Sequence, residues 1–185
     1  MPQFRLRAEK VLQDCKHAIA DYHIRLQEHD LRIRWLSIVT LLRAVGNVLE
    51  KVDAKLDPVL RDIIKRKFKK MDENKEEYSI YYEFIKKERD RFIKEYEHGI
   101  KRILKKKPSL ERLPKNVIKF SISSDVSNNE GGIIIQESDE IISCISTGKY
   151  KGLYEKDVAV MAYRWWETVI NEIKDEYDKS KATTD

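Results

Sequence analysis

The chain has 185 residues, of which 37 are Lys or Arg and 32 are Asp or Glu, so its formal net charge is +5. This length fits one domain with a single core, and six Gly with four Pro exclude collagen-like and low-complexity chains. Two Cys are too few for a disulfide framework or a four-thiolate zinc site. No apolar stretch approaches the roughly 18 residues of a membrane span, and the N-terminal MPQFRLRAEK has no apolar signal core. We therefore expect a cytoplasmic protein without a membrane segment.

The charge is distributed unevenly along the chain. Residues 1–108 carry 27 basic and 18 acidic side chains, whereas residues 109–185 carry 10 and 14. Such asymmetry predicts an anionic partner for the first part of the chain. A solvated helical surface with excess lysine explains it as well, because net charge does not report on fold.

Five helices are predicted from periodicity, caps and breakers. They cover residues 4–28, 31–52, 58–70, 75–105 and 155–178. The second helix is apolar most of the way round, which marks a central, buried helix. Asp30 is its predicted N-cap, and Asp57 with Pro58 opens the third helix as N-cap and first helical residue.

A segment of different character precedes the last helix. Residues 117–122 alternate in polarity and are β-branched, as strands are, and residues 128–132 form a turn cluster. Isoleucine-rich runs at 133–135 and 141–145 predict further strands. We therefore expect a small β-hairpin or meander within residues 115–150.

The predicted fold class is mainly α: an up-down bundle of about five helices with a small β insertion before the last one. We expect one domain, in which residues 3–106 and 155–178 form the bundle and residues 179–185 form a frayed polar tail. On the last helix Trp165 falls on the apolar stripe and Trp166 is rotated away by about 100°. Either both tryptophans pack in the core, or Trp166 contacts a partner helix or a nucleobase.

The fourth predicted helix carries a carboxylate within an apolar stripe. At about 100° per residue, the stripe comprises Tyr81, Ile85, Glu88, Phe92, Tyr96, Gly99 and Ile103. Burying a carboxylate costs several kcal/mol unless it is paired, so Glu88 is expected to have a basic partner or to face a cavity. Arg89 lies on one flank of the stripe, and Arg91 and His98 lie on the other, two turns apart.

The spacing of Arg91 and His98 resembles the Arg-x4–6-His motif of HEPN domains, helical bundles that include many RNA-cleaving toxins and defence nucleases. The resemblance implies metal-independent RNA cleavage without a cofactor. His98 would transfer protons at the 2′-hydroxyl or the leaving oxygen, and Arg91 would stabilise charge on the phosphate. An alternative motif starts at Arg89 and places Tyr96 where the family has His.

The resemblance also implies partners. HEPN sites are commonly completed across a homodimer, the substrate would be RNA, and a bacterial toxin or defence protein would have an antitoxin or other partner protein. A second hypothesis is a non-catalytic interaction module that docks on another protein through its helical faces.

Arg43 and Asn47 form a second polar pair, on the central helix at i, i+4 spacing. The stretch 41–49 resembles one in small uncharacterised helical bacterial proteins, in which His tends to replace Asn47. One interpretation is a core network in which Arg43 pairs with Glu88 and Gly46 permits close helix approach. The other is a pocket for a phosphate or carboxylate, which Arg binds with two hydrogen bonds. Substrate binding is thus predicted for Arg43, Asn47, Glu88, Arg89 and Tyr96.

Two dense basic clusters are candidate nucleic-acid contacts. They comprise Lys65, Arg66, Lys67, Lys69 and Lys70 in one cluster, and Lys105 and Lys106 in the other. A solvated surface favoured by the helix dipole is the alternative, because both clusters lie at predicted helix ends. The histidines lack the spacing of a helical zinc pair, so no metal site is predicted.

Overall fold

The computed structural model describes residues 5–23, 27–97, 99–105 and 140–182. Its elements are α1 (Arg7–Ala20), α2 (Glu28–Lys51), α3 (Pro58–Glu73), a π-helix (Ile80–Lys86), α4 (Lys87–Glu95), β1 (Ile100–Lys105), β2 (Glu140–Ile145) and α5 (Glu155–Ala182). A short 3-10 turn, Asp53–Lys55, links α2 to α3. The prediction of a mainly helical chain with a small sheet before the last helix is confirmed.

The central position predicted for the second helix is confirmed. α2 contacts α1, α3, α4 and α5, and its fully buried side chains include Trp35, Ile38, Leu42 and Leu49. Its N-cap is Gln27 rather than Asp30, which lies in the first turn. None of the helices in the described part of the chain is long and apolar enough to span a membrane.

Helix α3 begins as predicted. The Asp57 carboxylate accepts hydrogen bonds from the backbone N–H groups of Val59, at 2.8 Å, and Leu60, at 3.4 Å, and Pro58 is the first helical residue. Two other predicted ends are wrong. α1 stops at Ala20, and α5 continues to Ala182, beyond the expected start of a frayed tail.

The predicted fourth helix is wrong at both ends. Turns occupy residues 74–78, a π-helix precedes α4, and α4 ends at Glu95. Tyr96 then adopts the left-handed conformation, with φ 54°. Residues 100–105, expected to be helical, form β1, so Ile103 does not continue the apolar stripe of α4.

Strand β1 pairs antiparallel with β2, with Ile100 opposite Ile145 and Lys105 opposite Glu140. The predicted strand at 141–145 is therefore confirmed as part of β2. The other predicted strands and the turn cluster, from 115 to 139, lie outside the described residues.

Both tryptophans pack in the core, which was one of the two predicted alternatives, but the more buried of the two is Trp166 and not Trp165. Trp166 is fully buried, whereas Trp165 is partly buried against the core. The buried face of α5 runs through Ala162, Trp166 and Val169 at helical spacing. The close approach predicted at Gly46 is confirmed, because a Cβ there would lie 3.0 Å from Trp166 Cη2.

A buried carboxylate from the α2–α3 connection caps the start of α1. Asp53 is fully buried and accepts hydrogen bonds from the backbone N–H groups of Arg7, at 2.9 Å, and Ala8, at 3.0 Å. The first N–H groups of a helix have no partner within the helix. Asp53 therefore supplies acceptors for the buried N–H of Ala8 and the partly buried N–H of Arg7.

Candidate anion-binding groove

Glu88 is the centre of a buried hydrogen-bond network. Only 4% of the residue is exposed. Its Oε1 accepts hydrogen bonds from Trp35 Nε1, at 3.0 Å, and from the Gly99 backbone N–H, at 2.7 Å. Its Oε2 accepts one from Arg91 Nη1, at 3.3 Å. The basic partner expected for a buried carboxylate is thus Arg91, and the predicted pairing of Glu88 with Arg43 is wrong.

A reversal of the chain after α4 brings Gly99 to this carboxylate. The left-handed Tyr96 ends the helix, and the returning chain places the Gly99 N–H against Glu88. A Cβ at position 99 would lie 2.6 Å from Glu88 Oε2 and closer still to Arg91 Nη1. Glycine is therefore the residue that fits. His98 itself lies outside the described residues, and α4, which carries Arg91, ends at Glu95.

Arg91 is held at the wall of a surface groove of about 450 Å³. The groove is lined by Lys75, Tyr82, Glu83, Lys86, Lys87, Asp90, Arg91, Lys94 and Glu95. Arg91 has five N–H donors, and its bond to Glu88 uses one of them. The buried network therefore orients a guanidinium that still has donors for a ligand in the groove.

The groove has more basic than acidic side chains, and part of its acidic charge is already paired. Glu83 forms an ion pair with Lys87 at 2.6 Å, and Asp90 forms one with Arg89 at 2.8 Å. Within the described ranges, Lys86 and Lys94 form no ion pair with a carboxylate. An anion in the groove would thus meet two lysines for which no carboxylate of the described residues competes.

Tyr82 is the aromatic side chain in the groove lining. Tyr82 donates a hydrogen bond to Asp72 at 2.6 Å, and Lys75 Nζ lies 5.6 Å from its ring centroid. Burial, followed by the hydrogen bond to Asp72, raises the pKa of Tyr82 above its ordinary value. The phenol therefore stays neutral at physiological pH and does not add negative charge to the groove.

Arg43 and Asn47 do not contribute to this site. Arg43 donates a hydrogen bond to Tyr81 Oη, and its guanidinium lies 5.2 Å from the Tyr81 ring centroid. Asn47 is exposed to solvent. Burial raises the pKa of Tyr81, although Arg43 opposes the shift. The contact between Arg43 and Tyr81 therefore anchors the π-helix to α2, and neither Arg43 nor Asn47 lines the groove.

Three of the five residues in the predicted basic cluster on α3 form ion pairs, two of them with α5. Arg66 bonds Glu176 at 2.5 Å, Lys67 bonds Glu172, and Lys69 lies 3.8 Å from Glu73 on its own helix. Lys65 and Lys70 are exposed. These ion pairs fit a solvated face between two helices. Of the second cluster, the side chain of Lys105 and all of Lys106 lie outside what the structure describes.

The structure brings together two of the predicted site residues, Glu88 and Arg91, while Arg89 turns to Asp90. Sequence reasoning missed two partners of the carboxylate, Trp35 and Gly99. One available signal was that the indole N–H of a buried Trp on the central helix needs an acceptor. Two of the groove lysines, Lys87 and Lys94, stand at i−4 and i+3 from Arg91, a spacing that indicates a shared helix face.

No group of three or more His, Cys, Asp or Glu side chains within the described ranges is placed to hold a metal ion. No protein-family model, curated protein or solved structure matches this chain.

Proposed function

We propose that this chain binds RNA in the groove beside Arg91. The observation that carries the proposal is the pairing of Arg91 with a buried carboxylate that Trp35 and Gly99 also hold. A guanidinium in a fixed orientation is suited to phosphate, which accepts paired hydrogen bonds from Arg. Lys86 and Lys94 on the same face supply the additional positive charge that a polyanion requires.

Cleavage of the bound RNA is the further step that the HEPN resemblance implies. Arg91 would stabilise negative charge on the phosphate, and His98 would transfer the proton at the 2′-hydroxyl or the leaving oxygen. Gly99, the residue after His98 in the chain, donates its backbone N–H to Glu88, the partner of Arg91. This chain adjacency is what supports a shared site for the two predicted catalytic residues.

The binding proposal is tested by the affinity for a fluorescent single-stranded RNA over a range of salt concentrations. Each phosphate contact contributes a slope of about −0.7 in log affinity against log salt. Substituting Lys86, Arg91 and Lys94 together by Ala should weaken binding and flatten the slope by about 2. A matched control is Arg66→Ala, which removes an arginine of the paired α3 cluster and should leave the slope unchanged. Absent or salt-independent binding would favour a protein partner instead.

The cleavage hypothesis has its own assay, in which RNA degradation is followed in the presence of a metal chelator. His98→Ala and Arg91→Ala should each abolish degradation. His17→Ala is the matched control, because His17 is an exposed residue of α1. Undiminished cleavage by His98→Ala would rule out the predicted acid–base residue. If the wild-type protein binds RNA in a salt-sensitive manner but does not cleave it, the cleavage hypothesis is refuted and the binding proposal stands.

A further inference from the structure

The last helical turn of α4 is followed by an exposed tyrosine whose backbone conformation is unfavourable for a residue with a Cβ. Tyr96 is the C-cap of the helix, with φ 54° and ψ 27°. It is the only non-glycine residue with positive φ in the part of the chain that the structure describes. Gly or Asn usually occupies such a position, because a Cβ is disfavoured there. Even so, 67% of Tyr96 is exposed to solvent, so burial of the ring does not explain the choice of residue.

Two neighbours hold the ring in one orientation. The Arg32 guanidinium carbon, from α2, lies 5.5 Å from the Tyr96 ring centroid. The Phe92 ring, one turn earlier on α4, lies 5.5 Å away at an angle of 77°. A cation over the face of an aromatic ring is attracted to it, and an edge-to-face pair is favourable. These two contacts restrict the exposed ring, and a restricted side chain loses less entropy when a ligand binds.

Tyr96 follows the last groove-lining residue in the chain. Lys94 and Glu95 line the groove, and Tyr96 is the next residue, so its Cα is about 3.8 Å from that of Glu95. Aromatic side chains next to a basic groove are the common arrangement for binding single strands, in which successive bases stack on rings while cations follow the phosphates. Every base offers a flat face, so such stacking tolerates many sequences.

We propose that Tyr96 stacks on an unpaired nucleobase and that the groove therefore selects single-stranded over double-stranded RNA. The proposal rests on the proposed RNA binding and names the substrate class of that site. In a duplex the bases are stacked on each other and their faces are inaccessible, so a protruding ring gains nothing from it. Ile93, which is 54% exposed on the same helix, would suit a protein contact as well. The lysines of the adjacent groove favour a nucleic acid.

The test compares wild type, Tyr96→Asn and Tyr96→Phe in binding to oligouridine and to an RNA duplex of the same length. Asn is favoured in the left-handed conformation, so Tyr96→Asn removes the ring without opposing the turn. A cooperative melting transition and a wild-type circular dichroism spectrum verify that the variant is folded. Tyr96→Phe retains the stacking face and replaces only the hydroxyl.

The proposal predicts that Tyr96→Asn weakens oligouridine binding about tenfold or more, the loss that follows removal of one stacking partner. Tyr96→Phe should stay within about twofold of wild type, and neither variant should change duplex affinity. Equal oligouridine binding by Tyr96→Asn and wild type would overturn the stacking role while the proposed RNA binding stands. An equal loss for oligouridine and duplex would also overturn it, since the effect would not depend on unpaired bases. Failure of the wild type to bind either RNA would refute the proposed function itself.

Discussion

Replacing Glu88 by Gln tests whether the buried carboxylate orients Arg91. The substitution keeps shape and leaves an oxygen for Trp35 and Gly99, but it presents an amide N–H to the Arg91 guanidinium. A hydrogen bond to a charged group contributes about 1.5–3 kcal/mol, and a neutral one about 1 kcal/mol. Losing one charged bond and weakening two others removes roughly 4 kcal/mol, and relief of carboxylate desolvation returns about half of that. We expect Glu88→Gln to lower the free energy of unfolding by about 2 kcal/mol.

The assay is urea unfolding followed by far-ultraviolet circular dichroism, in which this loss should lower the midpoint by about 1 M for a chain of this size. Glu83→Gln is the matched control. Glu83 pairs with Lys87 at 2.6 Å, but its side chain is 36% exposed, and such helical surface pairs contribute only about 0.3–0.5 kcal/mol. In an Arg91→Met background Glu88→Gln should cost at least about 1 kcal/mol less. A Glu88→Gln protein as stable as the Glu83→Gln control, or an absence of coupling to position 91, would refute the reasoning.

Two other substitutions test the packing that places the site. Gly99→Ala should cost about 1–3 kcal/mol of stability, because the new Cβ would collide with Glu88 and Arg91; the Trp35 indole N–H resonance should move with it, and an unmoved resonance would contradict the network. Asp53→Ala should cost about 1–2 kcal/mol, since both oxygens that cap α1 are lost. Burial raises the pKa of Asp53 above its ordinary value of 3.8, so the native state binds this proton more tightly than the unfolded chain, and wild-type stability falls as pH rises through the native pKa. The loss caused by Asp53→Ala should therefore be smaller at about pH 7 than at about pH 3.5, and urea unfolding at both pH values showing the reverse would contradict that shift.

The parts of the fold that depend on local signals were predictable. Apolar residues on nearly all sides of α2 indicated its central position. Asp57 and Pro58 marked the start of α3 at the correct residue. Burial of Glu88 and its need for a basic partner also followed, because a carboxylate within an apolar stripe must be compensated.

The end of α4 was not predictable in the same way. No Gly or Pro interrupts the chain between Tyr96 and His98, and residues 100–105 suit a helix by composition as well as a strand. They become β1 because β2, about 40 residues later, supplies the pairing. The contact between Gly99 and Glu88 depends on that long-range pairing and on the left-handed conformation of Tyr96. A helical projection of the sequence places Gly99 on the apolar stripe, but it does not predict the hydrogen bond from the Gly99 N–H to the Glu88 carboxylate.

Photo-crosslinking of the intact protein to oligouridine, followed by peptide mapping, tests the central claim most directly. If RNA binds in the groove, crosslinks should map to Lys75 or to residues 82–96, and they should disappear when Lys86, Arg91 and Lys94 are replaced together by Ala. Crosslinks concentrated on residues 65–70 of α3, or crosslinks that persist in the triple variant, would contradict it.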